Sequence, residues 1–384
     1  MSAYAERQGR PNSSMNLELS PDRIFMRDEA RRLLAERAAS TALRRAVEAG
    51  GFDAGLWTTI GELGWCAVAI DEAAGGLGLG AMELALLAEE CGRRLAPVPF
   101  WSTSCLAAPV VSALVAEPAR GELLARIAAG EAATVALDLS ATAAAGAVCA
   151  TAEMDGDTWR LSGKVRGVPD RPTARIVLVP ARAADGTVAL FLLERDGEAP
   201  REPAFDLTRP IADLDLDALA PSSLTRLAAG LSVAALDGPL LTARLGLAAE
   251  EVGAAQGALD ITLAYIAERV QFGRTIASFQ AVKHRCAALV VAIAEARSLL
   301  HGAAASLDAG EAHAAPEIEA LGALAADVAF RAAEEAIQLH GGVGNTWEYD
   351  PHLYLRRAQA ASFLFGTAAQ KLEKTAAEII GDAA

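Results

Sequence analysis

The 384-residue sequence is short of aromatic residues, histidine and positive charge, and its few cysteines form no pattern. The five cysteines (Cys66, Cys91, Cys105, Cys149 and Cys286) are odd in number and include no CxxC pair, which argues against a disulfide framework and predicts reduced thiols, most of them buried. The five histidines show no HExxH or similar spacing, so no metal site is expected. With 34 Lys and Arg against 49 Asp and Glu, the net charge of −15 excludes a general nucleic-acid binder, which needs a basic face for phosphates. A single small basic pocket for a phosphorylated cofactor stays compatible with that balance. No run of about 18 apolar residues is free of charges or glycine breaks, so no membrane span is expected. The opening stretch MSAYAERQGRPNSSMNLEL has no apolar core of a secretory signal. Residues 1–17 read as a flexible tail, and the expected location is cytoplasmic.

What is present favours helices. The sequence is 53% hydrophobic, rich in Ala, Leu, Glu and Arg, and only 5% aromatic, so packing must rely on close helix contacts. Three textures follow one another. Residues 18–131 read as a helical domain: Asp22 to Ala39 is amphipathic, with Ser20 as cap and Pro21 in the first turn. Gly75, Gly76, Gly78 and Gly80 make a loop before the next helix, and Pro97 and Pro99 interrupt another. Residues 132–237 carry short β-branched runs (Thr134–Leu137, Thr158–Leu161, Ile176–Val179, Val188–Leu193), with a hairpin signal at Met154-Asp-Gly-Asp, and read as a small antiparallel β domain. Residues 238–384 return to helix. Leu245, Val252, Leu259 and Ile266 recur every seven residues, and Phe279–Ala309, Pro316–Leu339 and Pro351–Ile380 complete an antiparallel four-helix bundle.

Two segments of that last region could carry chemistry. In Glu268-Arg-Val-Gln-Phe-Gly-Arg-Thr-Ile-Ala-Ser-Phe-Gln a helix ends, Gly273 turns the chain and a new helix opens. An Arg at such a junction can meet a phosphate beside exposed backbone N–H groups, and Phe272 and Phe279 offer apolar walls for a ring system. An interhelical turn with a surface Arg would look the same. In Gln338-Leu-His-Gly-Gly-Val-Gly-Asn-Thr, glycines just past a helix permit close approach of a ligand, or simply cap the helix. The segment is not a GxGxxG after a strand, so a Rossmann site is not supported.

ERVQFGRTIASFQAVKH, QLHGGVGNTWEYDPHLYLRRA and LWTTIGELGWCAVAIDEAAGGLGLG together resemble the acyl-CoA dehydrogenase family over about residues 20–380, in the family's own domain order. The resemblance implies a mainly α fold with a central β-barrel domain between an N-terminal helical domain and a C-terminal four-helix bundle. It implies FAD held between subunits: Arg269 at the pyrophosphate, Phe272, Gly273 and Gln280 along the cofactor, and Gln338, Gly341 and Gly342 on its adenosine diphosphate half. It further implies an acyl-CoA substrate, α,β-dehydrogenation, transfer of electrons to an electron-transferring flavoprotein, and a homo- or heterotetramer. The combination of LFG with HGG…WEYDPHLYLRRA resembles a subgroup that degrades steroid side-chain CoA esters, often as pairs of unlike subunits.

The sequence departs from the family where the base should be. The segment resembling YEGT reads Phe363-Leu-Phe-Gly-Thr, which puts Phe365 at the base position, and the alternative base position matches Ala243. Glu250, about 10 Å further along the same helix face, is the candidate base, Glu251 the second, and Arg244 stands where the family often has a functional Arg. Glu250 could equally be an ion-paired helix carboxylate. The flavin-contacting loop and strand are also altered, at Ala136-Leu-Asp-Leu-Ser-Ala-Thr and Lys164-Val-Arg-Gly-Val-Pro-Asp. Two readings stay open: an active dehydrogenase subunit, or a catalytically silent partner that completes another subunit's FAD site.

Overall fold

A computed structural model describes residues 18–155, 158–194, 200–219 and 223–380. The expected tail at 1–17 and the tip of the expected hairpin, at 156 and 157, lie outside the described residues. The N-terminal region holds α1 (Pro21–Arg37), α2 (Ser40–Glu48), α3 (Ala54–Glu62), α4 (Ala81–Arg93), α5 (Ala108–Leu114) and α6 (Ala119–Ala128). Ser20 caps α1 by accepting the Arg23 N–H, as the sequence suggested. Directly before α5, Trp101–Ala107 winds as a wide π-helical segment.

The β region contains β1 (Ala133–Val135), a short α7 (Ala144–Ala147), β2 (Ala150–Asp155), β3 (Thr158–Ser162), β4 (Lys164–Pro169), β5 (Ile176–Ala183), β6 (Val188–Glu194), β7 (Ile211–Asp215) and β8 (Leu224–Leu231). The main sheet runs β3-β2-β5-β6-β8, and β4 pairs with β7 alone. The expectation of a wholly antiparallel domain needs correcting, because β1 and β2 both run parallel to β5. Parallel neighbours require connections longer than hairpins, and the stretches containing α7 and β3–β4 supply them. Both faces of β5 are buried: Ile176 and Leu178 join the helical core, while Val177 and Val179 join a second core with Val165, Val168 and Leu214. A strand covered on both sides reads as a continuous apolar run, which is why β5 and β6 were legible.

The C-terminal bundle comprises α8 (Asp237–Glu268), α9 (Gln280–Asp308), α10 (Ala314–His340), α11 (Pro351–Ala361) and α12 (Ala368–Ile380), with the small ribbon β9 (Val270–Gln271) and β10 (Arg274–Thr275) between α8 and α9. The single helix expected over Pro351–Ile380 is divided. Phe365 at φ 59° and Gly366 at φ 91° take left-handed backbone there, which no helix accommodates. Helices α4 and α8 cross in backbone contact. A Cβ at Gly253 would lie 1.8 Å from the Glu89 carbonyl oxygen, and one at Gly92 would lie 2.0 Å from that of Glu250. This close crossing carries Glu250 into the interior.

Candidate cofactor groove and a closed acyl centre

The turn between α8 and α9 and the end of α10 meet at one groove of about 690 Å³, a volume in the range of small-molecule sites. Arg269, Phe272, Phe279, Gln338, Gly341 and Gly342, singled out from two segments some 70 residues apart, all line it. Gly273 and Gln280 adjoin these positions without lining the groove. Helix α8 ends at Arg269, and Phe272 (φ 52°) and Gly273 (φ 80°) reverse the chain so that α9 opens toward the groove. Ala281 and Val282 of its first turn line the wall, which brings the positive end of a long helix to the site. Phe272 is 93% exposed, an unusual placement for a large apolar ring unless something covers it. Gly341 adopts φ 67°, and a Cβ at Gly273, Gly341 or Gly342 would enter open space.

The rear wall is aromatic. His340 stacks on Tyr265 with ring centroids 4.2 Å apart, and Tyr349 meets both rings edge-on. His340 Nδ1 donates to the Ala336 carbonyl at 2.7 Å, because that oxygen can only accept. Burial pushes the His340 ring below its ordinary pKa, so the neutral form is favoured. A guanidinium, an amide side chain, a helix N-terminus and flat apolar walls fit the pyrophosphate and adenosine of a dinucleotide.

The region around Ala243 and Phe365 is filled. The Trp101 indole, 1% exposed, donates through Nε1 to the Ala243 carbonyl at 2.8 Å and packs edge-on against Phe365 with centroids 6.3 Å apart. The Arg209 guanidinium lies over the same indole, 4.9 Å from the ring centroid. Arg209 also pairs with the Glu250 carboxylate, and Arg357 approaches the same oxygen at 3.6 Å. Arg357 is held in turn by Asp206 at 2.6 Å and Thr208 at 2.7 Å. Asp170, in left-handed backbone at φ 53°, completes the cluster; burial raises its carboxyl to about 6 against the pull of Arg209.

The structure places Glu250, the expected base, inside this cluster. A base needs a free carboxylate facing a substrate, whereas Glu250 is buried and bound by two guanidiniums. Arg244 is likewise engaged, with Glu319 at 3.2 Å, the Thr142 carbonyl at 3.0 Å and the face of Phe365 at 5.2 Å. Glu251 is buried with no hydrogen-bond partner on either oxygen, and burial pushes its carboxyl up to about 7, with Lys371 opposing. It shares only a water-sized cavity with Phe365 and Lys371. Sequence reasoning missed Trp101, Arg209 and Asp206, whose partners lie 41 to 151 residues away in the chain. The available signal was charge inside Phe-Asp-Leu-Thr-Arg-Pro, between apolar neighbours.

Family models for the acyl-CoA dehydrogenase N-terminal domain and C-terminal domain match residues 20–131 and 229–380. The chain belongs to the acyl-CoA dehydrogenase family. Among its relatives, acyl-CoA dehydrogenase IpdE2 of Mycolicibacterium smegmatis is 31% identical over 94% of this chain and 100% of its own length. IpdE2 of Mycobacterium tuberculosis is 32% identical over 93% of this chain and 97% of its own. Among solved structures, a variant of the Tcur3481-Tcur3483 steroid ACAD matches with TM-score 0.80 and 32% identity, over 94% of this chain and 98% of that one. The ChsE4-ChsE5 complex from Mycobacterium tuberculosis matches with TM-score 0.83 and 25% identity, over 96% of this chain and all of that one.

Proposed function

We propose that this chain is the catalytically silent subunit of a heteromeric, FAD-dependent acyl-CoA dehydrogenase acting on a steroid-derived CoA thioester. Its groove embraces the adenosine diphosphate half of FAD whose reactive ring serves a second, unlike subunit. When bound, FAD would supply the redox chemistry of α,β-dehydrogenation. An electron-transferring flavoprotein is the proposed acceptor. This chain's residues bind and orient: Arg269 and the opening of α9 meet the pyrophosphate, Gln338 and Gly341–Gly342 the adenosine side.

One observation carries the silent assignment. The space between the two family base positions is occupied by the Trp101 ring, and neither Ala243 nor Phe365 can accept a proton. The paired names of the steroid ACAD and of the ChsE4-ChsE5 complex, both similar over nearly the whole chain, support an assembly of unlike subunits. Helix α9 supports it independently. It is long and apolar enough to cross a membrane by length and composition, yet only 33% of its most apolar window is buried. That exposed apolar surface, with Val290 and Val291, suits a protein partner.

The alternative, an active subunit, is favoured by one observation: the carboxyl of Glu251, raised to about 7, has the proton affinity a general base would need. Anaerobic titration of the purified chain with acyl-CoA separates the two. The silent reading expects no flavin bleaching from the chain alone; bleaching that Glu251→Gln abolishes would establish the other.

A further inference from the structure

Helix α12 turns its largest apolar side chains outward. Leu372, Ile379 and Ile380 are exposed, while its buried side chains are Lys371 and Thr375. Polar contacts hold it instead. Lys374 donates to Glu319 of α10 at 2.7 Å. The Lys371 stem runs over Gly322 of α10, where a Cβ would come within 3.4 Å of its Cδ. The helix carries its own N-terminal cap: the Thr367 N–H donates to the Gln370 side chain at 2.9 Å, and the Gln370 N–H donates to Thr367 Oγ1 at 3.4 Å. It can therefore move as a unit. The chain enters it through Phe365 (φ 59°) and Gly366 (φ 91°), two successive left-handed residues between α11 and α12. A Cβ at Gly366 would lie 2.4 Å from the Thr142 side chain, so that position admits only glycine. Such a short stretch between two helices is where a hinge absorbs changes in φ and ψ.

Beneath α12 lies the water-sized cavity that Glu251 of α8 shares with Arg244, Glu319, Phe365 and Lys371. Glu251 is 3% exposed, and neither of its oxygens has a hydrogen-bond partner. Lys371, 4% exposed, lines the same cavity without bonding to that carboxyl. A carboxyl in such a place is tolerated while it keeps its proton and is costly once ionised. Its surroundings do not offset that cost. Burial is the largest influence and raises the carboxyl to about 7. Lys371 on α12 and Arg209 in the loop before β7 favour the charged form, and Glu250 on α8 opposes it. Arg244 and Lys374 are already engaged by Glu319. Among the described residues no histidine or cysteine lines the cavity, so Glu251 is the group there that titrates near neutrality.

We propose that α12 is a flap gated by pH: when Glu251 ionises, the helix swings at Phe365–Gly366 and water reaches the carboxylate and Lys371. Protonated Glu251 keeps the flap shut. The closed form holds its proton up to about pH 7, whereas a hydrated carboxyl releases it near 4.5, so rising pH favours the open form. Between pH 6 and pH 8 the opening equilibrium grows about tenfold. The opposite motion, Lys371 closing onto an ionised Glu251, would hold that carboxyl at or below its ordinary range, and it stands above it. Phe365 packs on Trp101, so the hinge adjoins the closed acyl centre.

Amide hydrogen exchange of the full chain tests this, read by mass spectrometry at pH 6 and pH 8 and corrected for intrinsic exchange rates. Protection of α12 should fall about tenfold from pH 6 to pH 8. Helix α10, on which it rests, should stay at least about tenfold better protected than α12 at both. In Glu251→Gln the fall in α12 should vanish. If that variant folds poorly, Lys371→Met serves in its place: without the cation that favours the charged form, the fall should move to higher pH. Equal protection of α12 at pH 6 and pH 8, a fall that persists in Glu251→Gln or stays at the same pH in Lys371→Met, or α10 and α12 losing protection together would overturn the flap. No flavin enters these measurements, so their outcome is independent of the proposed function.

Discussion

Trp101 Nε1 donates to the carbonyl oxygen of Ala243 at 2.8 Å, and the same ring meets Phe365 edge-on. One side chain thereby joins the two positions at which the family places a catalytic carboxylate. Restoring a carboxylate is therefore not enough to restore a site. Phe365→Glu, purified without a partner subunit and supplied with FAD, should show no acyl-CoA-dependent flavin bleaching, because the indole still fills the space and Arg244, 5.2 Å from the ring, would pair with the new carboxylate. Trp101→Ala should cost about 3 to 5 kcal/mol in denaturant unfolding, as large buried truncations do. Turnover by Phe365→Glu alone would show that the centre is open.

Glu250→Gln separates a structural carboxylate from a catalytic one. Leaving Arg209 and Arg357 without their shared partner should cost about 3 to 5 kcal/mol in unfolding free energy, because an uncompensated buried charge remains. Turnover of the assembled heteromer, measured below the variant's melting temperature, should stay within about twofold, since ΔΔG of binding and chemistry lies elsewhere. A loss of several orders of magnitude with unchanged stability would return Glu250 to the role of base.

Arg269 is exposed and makes no side-chain ion pair among the described residues, so its replacement should leave the fold intact. Arg269→Ala should weaken FAD retention of the assembled protein by about tenfold or more, the worth of a charge-assisted hydrogen bond. The flavin-to-protein absorbance ratio after dialysis reads this directly.

Glu251 predicts a pH dependence. Its folded-state carboxyl titrates near 7 against an ordinary 4.5, so the folded chain takes up the proton first. Stability from this group is full below the unfolded value and is lost as pH rises through about 7. The difference corresponds to about 3 kcal/mol at most. Glu251→Gln should therefore raise the melting temperature at pH 8 relative to the parent, with the gain shrinking toward pH 4.5. Equal gains at both ends would mean that the carboxyl does not titrate there.

Much of this was legible in the sequence, for definite reasons. Gly273 and Gly341 with their flanking Arg269 and Gln338 are local features, tied to helix ends, and the structure brings both segments to one groove. The heptad-spaced Leu245 to Ile266 stripe marked α8 because a long helix repeats its buried face. Strand β8, whose residues are mostly exposed or half-buried, left no apolar alternation to read. The break at Phe365 and Gly366 was hidden because two left-handed residues in a short turn leave no periodic trace. The closed centre was beyond reach for another cause: Trp101, Arg209, Glu250 and Arg357 come from four separate elements, and only the close α4–α8 crossing brings Glu250 inward to them.

The central claim is that this subunit lends a groove to a cofactor whose chemistry belongs to its partner. Flavin content settles it most directly, measured on the chain purified alone and on the chain co-purified with an unlike acyl-CoA dehydrogenase subunit. The account predicts a colourless chain alone and one FAD per pair of unlike subunits, bleached by acyl-CoA. A yellow chain in isolation, with one FAD per polypeptide and bleaching by acyl-CoA, would contradict it.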